Sequence, residues 1–162
     1  DLYAETLEFI AWSESAGFDG AWVPEHHLAE DGYMPSPLVA LAAIAARTST
    51  IRIGSAVALA PLYHPVRFAE ECAVLDVLSN GRLEIALAIG YRKRETDAYG
   101  FDFTNRGSRF DERPSFYQRQ VTRPQTLQVI CRLVAFQIVE DVGLQVVQVV
   151  LFGTLGMGRG GQ

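Results

Sequence analysis

The chain has 162 residues, 49% hydrophobic and 20% charged, with a formal net charge of −5 at pH 7. That is enough sequence for one domain with a real core, and the acidic balance gives no electrostatic reason to bind nucleic acid or an anionic membrane surface, both of which need a basic face. Cys72 and Cys131 lie far apart in no metal-ligand or redox spacing, which suits a reducing compartment better than a disulfide framework and makes the cytoplasm the expected location.

The opening Asp1-Leu2-Tyr3-Ala4-Glu5 has neither the basic-then-apolar pattern of a secretory signal nor an initiator methionine, which fits a fragment. Leu7, Ile10 and Ala11 then have helical spacing, and Gly17 follows where a helix needs a left-handed stop. Gly20-Ala21-Trp22-Val23-Pro24 reads as a short buried strand. Ser36 as N-cap and Pro37 at the first helical position begin a second helix that runs to about Thr48. Ile51 to Val57 is a second strand, Pro65 opens a helix through Leu78 that Asn80-Gly81 closes, and Leu83 to Ile89 is a third strand.

Repeated strand–helix–strand units with short connections predict an α/β fold, a parallel sheet with helices packed outside it. Periodicity does not separate a closed (β/α)8 barrel from an open doubly wound sheet. A barrel takes about 250 residues, and three strands precede the tail, so the expected structure is at most a partial TIM barrel.

Composition changes near residue 112. Residues 1–112 contain no glutamine and 18 alanines, whereas residues 113–162 contain eight glutamines and one alanine. The first part carries a net −8 and the second a net +3. The expected division is therefore a domain over 1–112 and an atypical, unrelated tail over 113–162. The tail's apolar runs, 127–139 and 142–152, carry few charges; they can pair as strands or a helix against a sheet edge, or drive aggregation. The longest uncharged stretch, 142–158, falls short of the roughly 20 apolar residues that span a bilayer.

Three segments can carry chemistry. The first is Glu25-His26-His27, at the C-terminal end of a predicted strand, where parallel barrels place catalytic groups. Strand alternation puts His26 on the face of Trp22, with Glu25 and His27 on the other, so the histidines are not expected to act together. Three readings stand: one histidine is a general base, since imidazole titrates near neutral pH; one bonds a loop and the other is solvated; or they belong to a zinc site, which needs three or four ligands although His64 is the only further histidine. The second segment is the small-residue run Gly54 to Pro61, which admits a flat ligand close to the backbone or a tightly packed neighbour. In the third, Ile89-Gly90-Tyr91 ends the last strand in a glycine and an aromatic. That glycine either offers a backbone N–H to a phosphate or ring, or merely turns the chain.

In this order, Gly17 to His27, Ile53 to Val57 with His64-Pro65-Val66-Arg67, Ser79 to Glu84, and Arg106 to Glu112 resemble the bacterial luciferase-like flavin-dependent monooxygenases. The resemblance covers residues 1–112, the N-terminal half of such an enzyme. It implies a TIM barrel that binds reduced FMN, or a deazaflavin in sister enzymes, and uses O2 to oxidise an aldehyde, alkane, sulfonate or similar small molecule. The flavin performs the oxygen chemistry and the protein orients it, excludes water and moves protons. A separate flavin reductase and a homodimer are implied too. His26 takes the acid–base role. A non-prolyl cis peptide falls at Ala56–Val57, with Val57 against the isoalloxazine. Ile89 stands where relatives often place an arginine for the flavin phosphate, next to Gly90 and Tyr91. The family's first strand would precede Asp1 and its later strands supply much of the flavin site, so little turnover is expected of this chain alone. A deazaflavin-dependent hydride transferase, a non-catalytic flavin-binding relative and an inert truncated product are the alternatives.

Overall fold

The computed structural model describes residues 2–30, 33–110 and 134–135. Helix α1 (Leu2–Ser15) ends as Gly17 turns left-handed at φ 86° and the Phe18 N–H reaches the Ser13 carbonyl. Strand β1 (Gly20–Val23) and helix α2 (Pro37–Arg47) follow. Pro37 occupies the predicted first-turn position, but the Ser36 hydroxyl makes no capping bond; the Ser36 carbonyl instead accepts the Ala40 N–H. Strand β2 (Arg52–Leu59) is longer than predicted and runs into a 3-10 turn, Ala60–Leu62. Helix α3 (Pro65–Leu78) has the predicted ends, and Asn80 and Gly81 leave it with φ 58° and 78°. Strand β3 (Leu83–Ala88) leads to a short helix that no sequence pattern announces, α4 (Lys93–Ala98).

The strands pair in parallel in the order β1-β2-β3-β4, where β4 is the two-residue segment Val134–Ala135 paired with Ala86 and Leu87. It lies inside the apolar run 127–139, for which strand pairing at a sheet edge was one expectation. The remainder of that run and all of 142–152 lie outside the described residues.

Alternation decides which face is covered. Ala21 and Val23, Ile53, and Leu83, Ile85 and Leu87 point toward the helices, where they pack with Ile10, Leu41, Ile44, Phe68, Cys72 and Leu75. Burying each large side chain of this set contributes roughly 1.5–3 kcal/mol. The opposite face carries Trp22, whose indole lies across Gly20 and Gly54. A Cβ on Gly54 would fall 2.2 Å from the Glu84 carbonyl oxygen and 2.7 Å from the indole nitrogen. The first small residue of the Gly54 to Pro61 run is therefore there for packing.

Two polar devices join the helices to the N-terminal ends of the strands. Arg82, at the entrance to β3, donates to the carbonyls of Ala45, Thr48, Ile51 and Ser79 at 2.7–3.1 Å, so one guanidinium caps the end of α2 and holds the α3–β3 turn. Glu14, near the end of α1, accepts the backbone N–H groups of Ser49, Thr50 and Ile51 at 2.6–2.9 Å. Burial opposes its charge, but the bonds from Ile51, Thr50 and Ser49 outweigh that effect and lower its pKa from 4.5 to about 2. Because the folded pKa is depressed, the stabilisation is complete above about pH 4.5 and disappears as pH falls toward 2. Glu14→Gln is expected to cost roughly 1 kcal/mol at neutral pH, since the site is partly solvent-screened. In urea unfolding the gap between the two proteins should close as pH falls through that window. A gap independent of pH would show that the carboxylate's charge contributes nothing.

Candidate active site at the strand ends

Strand β1 stops at Val23, so Glu25, His26 and His27 lie in the connection after it, and strand alternation does not extend to them. The chain is pinned there by the His26 N–H, which donates to the Met34 carbonyl at 2.9 Å. The two histidines nevertheless enter different surroundings.

His27 is buried and both of its ring nitrogens are engaged. Nε2 lies 2.8 Å from Glu25 Oε1, and Nδ1 lies 3.0 Å from the Tyr99 hydroxyl. Glu25, also buried, accepts the Tyr63 hydroxyl on the same oxygen at 2.8 Å and the Leu59 N–H on its other oxygen at 2.6 Å. Burial, reinforced by Glu25, pushes the Tyr63 phenol far above its ordinary pKa; burial and then the carboxylates Glu25 and Glu95 raise that of Tyr99. Both phenols therefore remain donors. The chain of bonds has one consistent direction, Tyr99 to His27 Nδ1 and His27 Nε2–H to Glu25. Beside it lies a cavity of about 160 Å³ lined by Glu25, His27, Pro35, Val39, Tyr63 and Tyr99. With every polar atom of its ring occupied, His27 serves to hold structure.

His26 differs. Its Nδ1 lies 3.1 Å from Glu95 Oε1, and its ring lies 5.2 Å from that of Tyr33 and edge-on to that of Tyr91 at 5.8 Å. No hydrogen bond among the described residues reaches Nε2, and the side chain is 16% exposed. A ring held by one nitrogen, with the other accessible, is equipped to exchange a proton with a bound molecule.

The other predicted site residues lie at the C-terminal ends of β2 and β3 or just beyond them. The Ala56–Val57 peptide is cis, and it falls where the β2–β3 register shifts between Ser55 and Ala58. Ala56 is exposed and Val57 half-buried. Gly90 has φ 77°, a left-handed conformation that favours glycine, and Tyr91 is 62% exposed. Ile89 is half-buried against the core. The structure thus brings His26 and Tyr91 directly together and leaves Ala56 and Val57 accessible on the neighbouring strand, an apolar ledge suited to a flat ring. Ile89 offers no polar group to it.

Glu95, Tyr63 and Tyr99 were not singled out from the sequence. Lys93-Arg94-Glu95-Thr96-Asp97 reads as a solvated charge run, yet Glu95 is 2% exposed. What buries it is the loop after β1, some 70 residues away in the chain, so no local pattern marks it.

A family model described as luciferase-like monooxygenase matches residues 1–126. The oxygenase component of a flavin-dependent trigonelline monooxygenase from Acinetobacter baylyi is 34% identical over 102 residues, which are 63% of this chain and 26% of that protein. The chain therefore spans about a quarter of the length of that relative. Among solved structures, the oxygenating constituent of the 3,6-diketocamphane monooxygenase of Pseudomonas putida, a type II Baeyer-Villiger enzyme in complex with FMN, superposes with a TM-score of 0.69 at 20% identity, over 73% of this chain and 34% of that one. The coenzyme F420 dependent tetrahydromethanopterin reductase of Methanopyrus kandleri gives 0.53 at 29% identity, over 64% and 28%. The parallel sheet with its outer helices is part of a TIM barrel of this kind.

Glu25→Ala is expected to leave the Leu59 N–H, the Tyr63 hydroxyl and the His27 ring without their acceptor, at a cost of roughly 3 kcal/mol or more. Tyr63→Phe, which removes one bond of the set, should cost about 1 kcal/mol. Denaturant midpoints compare the two, and equal losses would contradict the central place given to Glu25.

Proposed function

Because the chain belongs to the luciferase-like monooxygenase family, we propose that its strand-end ledge forms part of a site for reduced FMN, in an enzyme that uses O2 to oxidise a small organic substrate. The observation that carries this reading is the asymmetry of the two histidines. His27 is bonded at both nitrogens, whereas His26 is bonded at one and faces the ledge aromatic Tyr91.

In this reading Ala56 and Val57 support the isoalloxazine, the Gly90 backbone and Tyr91 border it, and His26 is the acid–base group. The bound flavin supplies the reducing electrons and the reaction with oxygen. The protein's share is narrower. The apolar ledge keeps water from the face that Val57 covers, Tyr91 limits how the ring lies, and His26 takes up or delivers a proton at Nε2. Ile89 gives the phosphate end no positive charge, so that charge has to come from elsewhere. The compositional change at residue 112 is the proposed edge of the domain, with 113–162 as its tail, although the family match runs on to residue 126. A separate flavin reductase, a homodimer and a cytoplasmic setting belong to the same proposal.

The likeness to the coenzyme F420 dependent reductase, together with Ile89, favours a second reading, a deazaflavin site for hydride transfer. Titration of the chain with FMN and with a deazaflavin, each oxidised and photoreduced and followed by flavin fluorescence, separates the two. The expected result is saturable micromolar binding of FMN, weakened about tenfold or more by Val57→Glu, a loss of at least roughly 1.4 kcal/mol. Tighter binding of the deazaflavin would favour the second reading. No saturable binding of either by the folded chain would contradict both and leave the non-catalytic or inert alternatives.

A further inference from the structure

We infer that Glu95 is the positioning residue that locks the His26 ring with its proton on Nδ1, so that Nε2 presents a lone pair to the strand-end face. The inference rests on the reading of His26 as the acid–base group and adds the residue that sets its protonation geometry.

One oxygen atom sets the tautomer. Glu95 Oε1 receives the His27 backbone N–H at 3.0 Å and the His26 Nδ1 at 3.1 Å, and Arg92 Nη1 lies 3.8 Å from it. Two of these three neighbours, the peptide N–H and the guanidinium, can only donate. An oxygen met by obligate donors acts as an acceptor, so the remaining neighbour, Nδ1, donates as well. A neutral imidazole carries a single N–H, and with that proton on Nδ1 the lone pair belongs to Nε2, the nitrogen that no described residue engages.

The same carboxylate holds the ring's position. By binding the N–H of the next peptide, Glu95 fixes the backbone that carries His26 while its bond to Nδ1 fixes the ring, leaving little freedom for rotation. Burial makes the hold effective, because a buried carboxylate with three positive or N–H partners is costly to displace. It also ties together two loops, since Glu95 sits on α4 after β3 and His26 follows β1. In a proton-transfer cycle Nε2 takes a proton and the resulting imidazolium charge lies beside Glu95. Release of that proton from Nε2 restores the starting tautomer, so each cycle returns the ring to the same state.

Long-range 1H–15N correlation spectra of the chain with labelled histidine, recorded where the imidazoles are neutral, identify which nitrogen carries each proton. The expected result is Nδ1–H for His26 and Nε2–H for His27. In Glu95→Leu the His26 proton should move wholly or partly to Nε2, while an unchanged His27 pattern certifies that the surrounding fold survives. A wild-type His26 protonated on Nε2 would overturn the inference, and so would a tautomer that Glu95→Leu leaves unchanged. If that variant does not fold, the wild-type spectrum alone decides. The spectrum needs no flavin, so absence of flavin binding with the Nδ1–H tautomer intact would count against the proposed function and leave the role of Glu95 standing.

Discussion

The Glu25 carboxylate bonds the end of β1 to the end of β2 directly, through Leu59 and Tyr63, and to the segment beyond α4 through its loop neighbour His27. Glu25 follows β1, Leu59 closes β2, Tyr63 stands before α3, and His27 reaches on to Tyr99 beyond α4. Parallel strands have no hairpin to align their C-terminal ends, so side chains in the loops have to do it. A buried acceptor with three donors is strong enough because Glu25 cannot turn to water without leaving all three donors unpaired. With those ends held, the irregular segment of β2 around Ala56–Val57 and the left-handed Gly90 after β3 lie on one rim. The opposite end of the sheet is held independently by Glu14 and Arg82.

This arrangement explains why adjacent histidines are held in different ways. His27 turns into the Glu25 network and uses both nitrogens there, which spends its chemistry on structure. His26 turns toward Tyr33 and Tyr91, is anchored through Nδ1 alone, and keeps Nε2 accessible. The expectation that one histidine bonds a loop holds for His27, which bonds Glu25 in the connection after β1, but the other is not simply solvated, since His26 is 16% exposed and bonded to Glu95. Both are anchored, by different carboxylates.

Helix ends and strand cores were legible in the sequence because their causes are local. Pro37 and Pro65 start helices, Gly17 and Asn80-Gly81 stop them, and the apolar alternation of Leu83, Ile85 and Leu87 marks a strand with one covered face. The Ala56–Val57 cis bond was anticipated too, through family resemblance, since nothing in the local residue pattern announces it. The carboxylates behind the histidines were harder to see. Glu95 occurs among charged neighbours and in a six-residue helix with no amphipathic pattern to read. Its burial depends on contacts with the β1 loop that only the folded sheet creates. Glu25 was visible as part of a motif, but its bond to the Leu59 N–H depends on where β2 ends, and the apolar run marks that end two residues too early, at Val57.

The strand-end ledge near His26 is the proposed functional face, with the His27 side given over to structure. Amide chemical-shift mapping of the 15N-labelled chain during addition of FMN tests this assignment most directly. The largest shifts are expected on Ala56, Val57, Gly90 and Tyr91, with the His26 ring responding alongside them. Shifts concentrated instead around Pro35, Val39 and Tyr63, beside the His27 cavity, would contradict it.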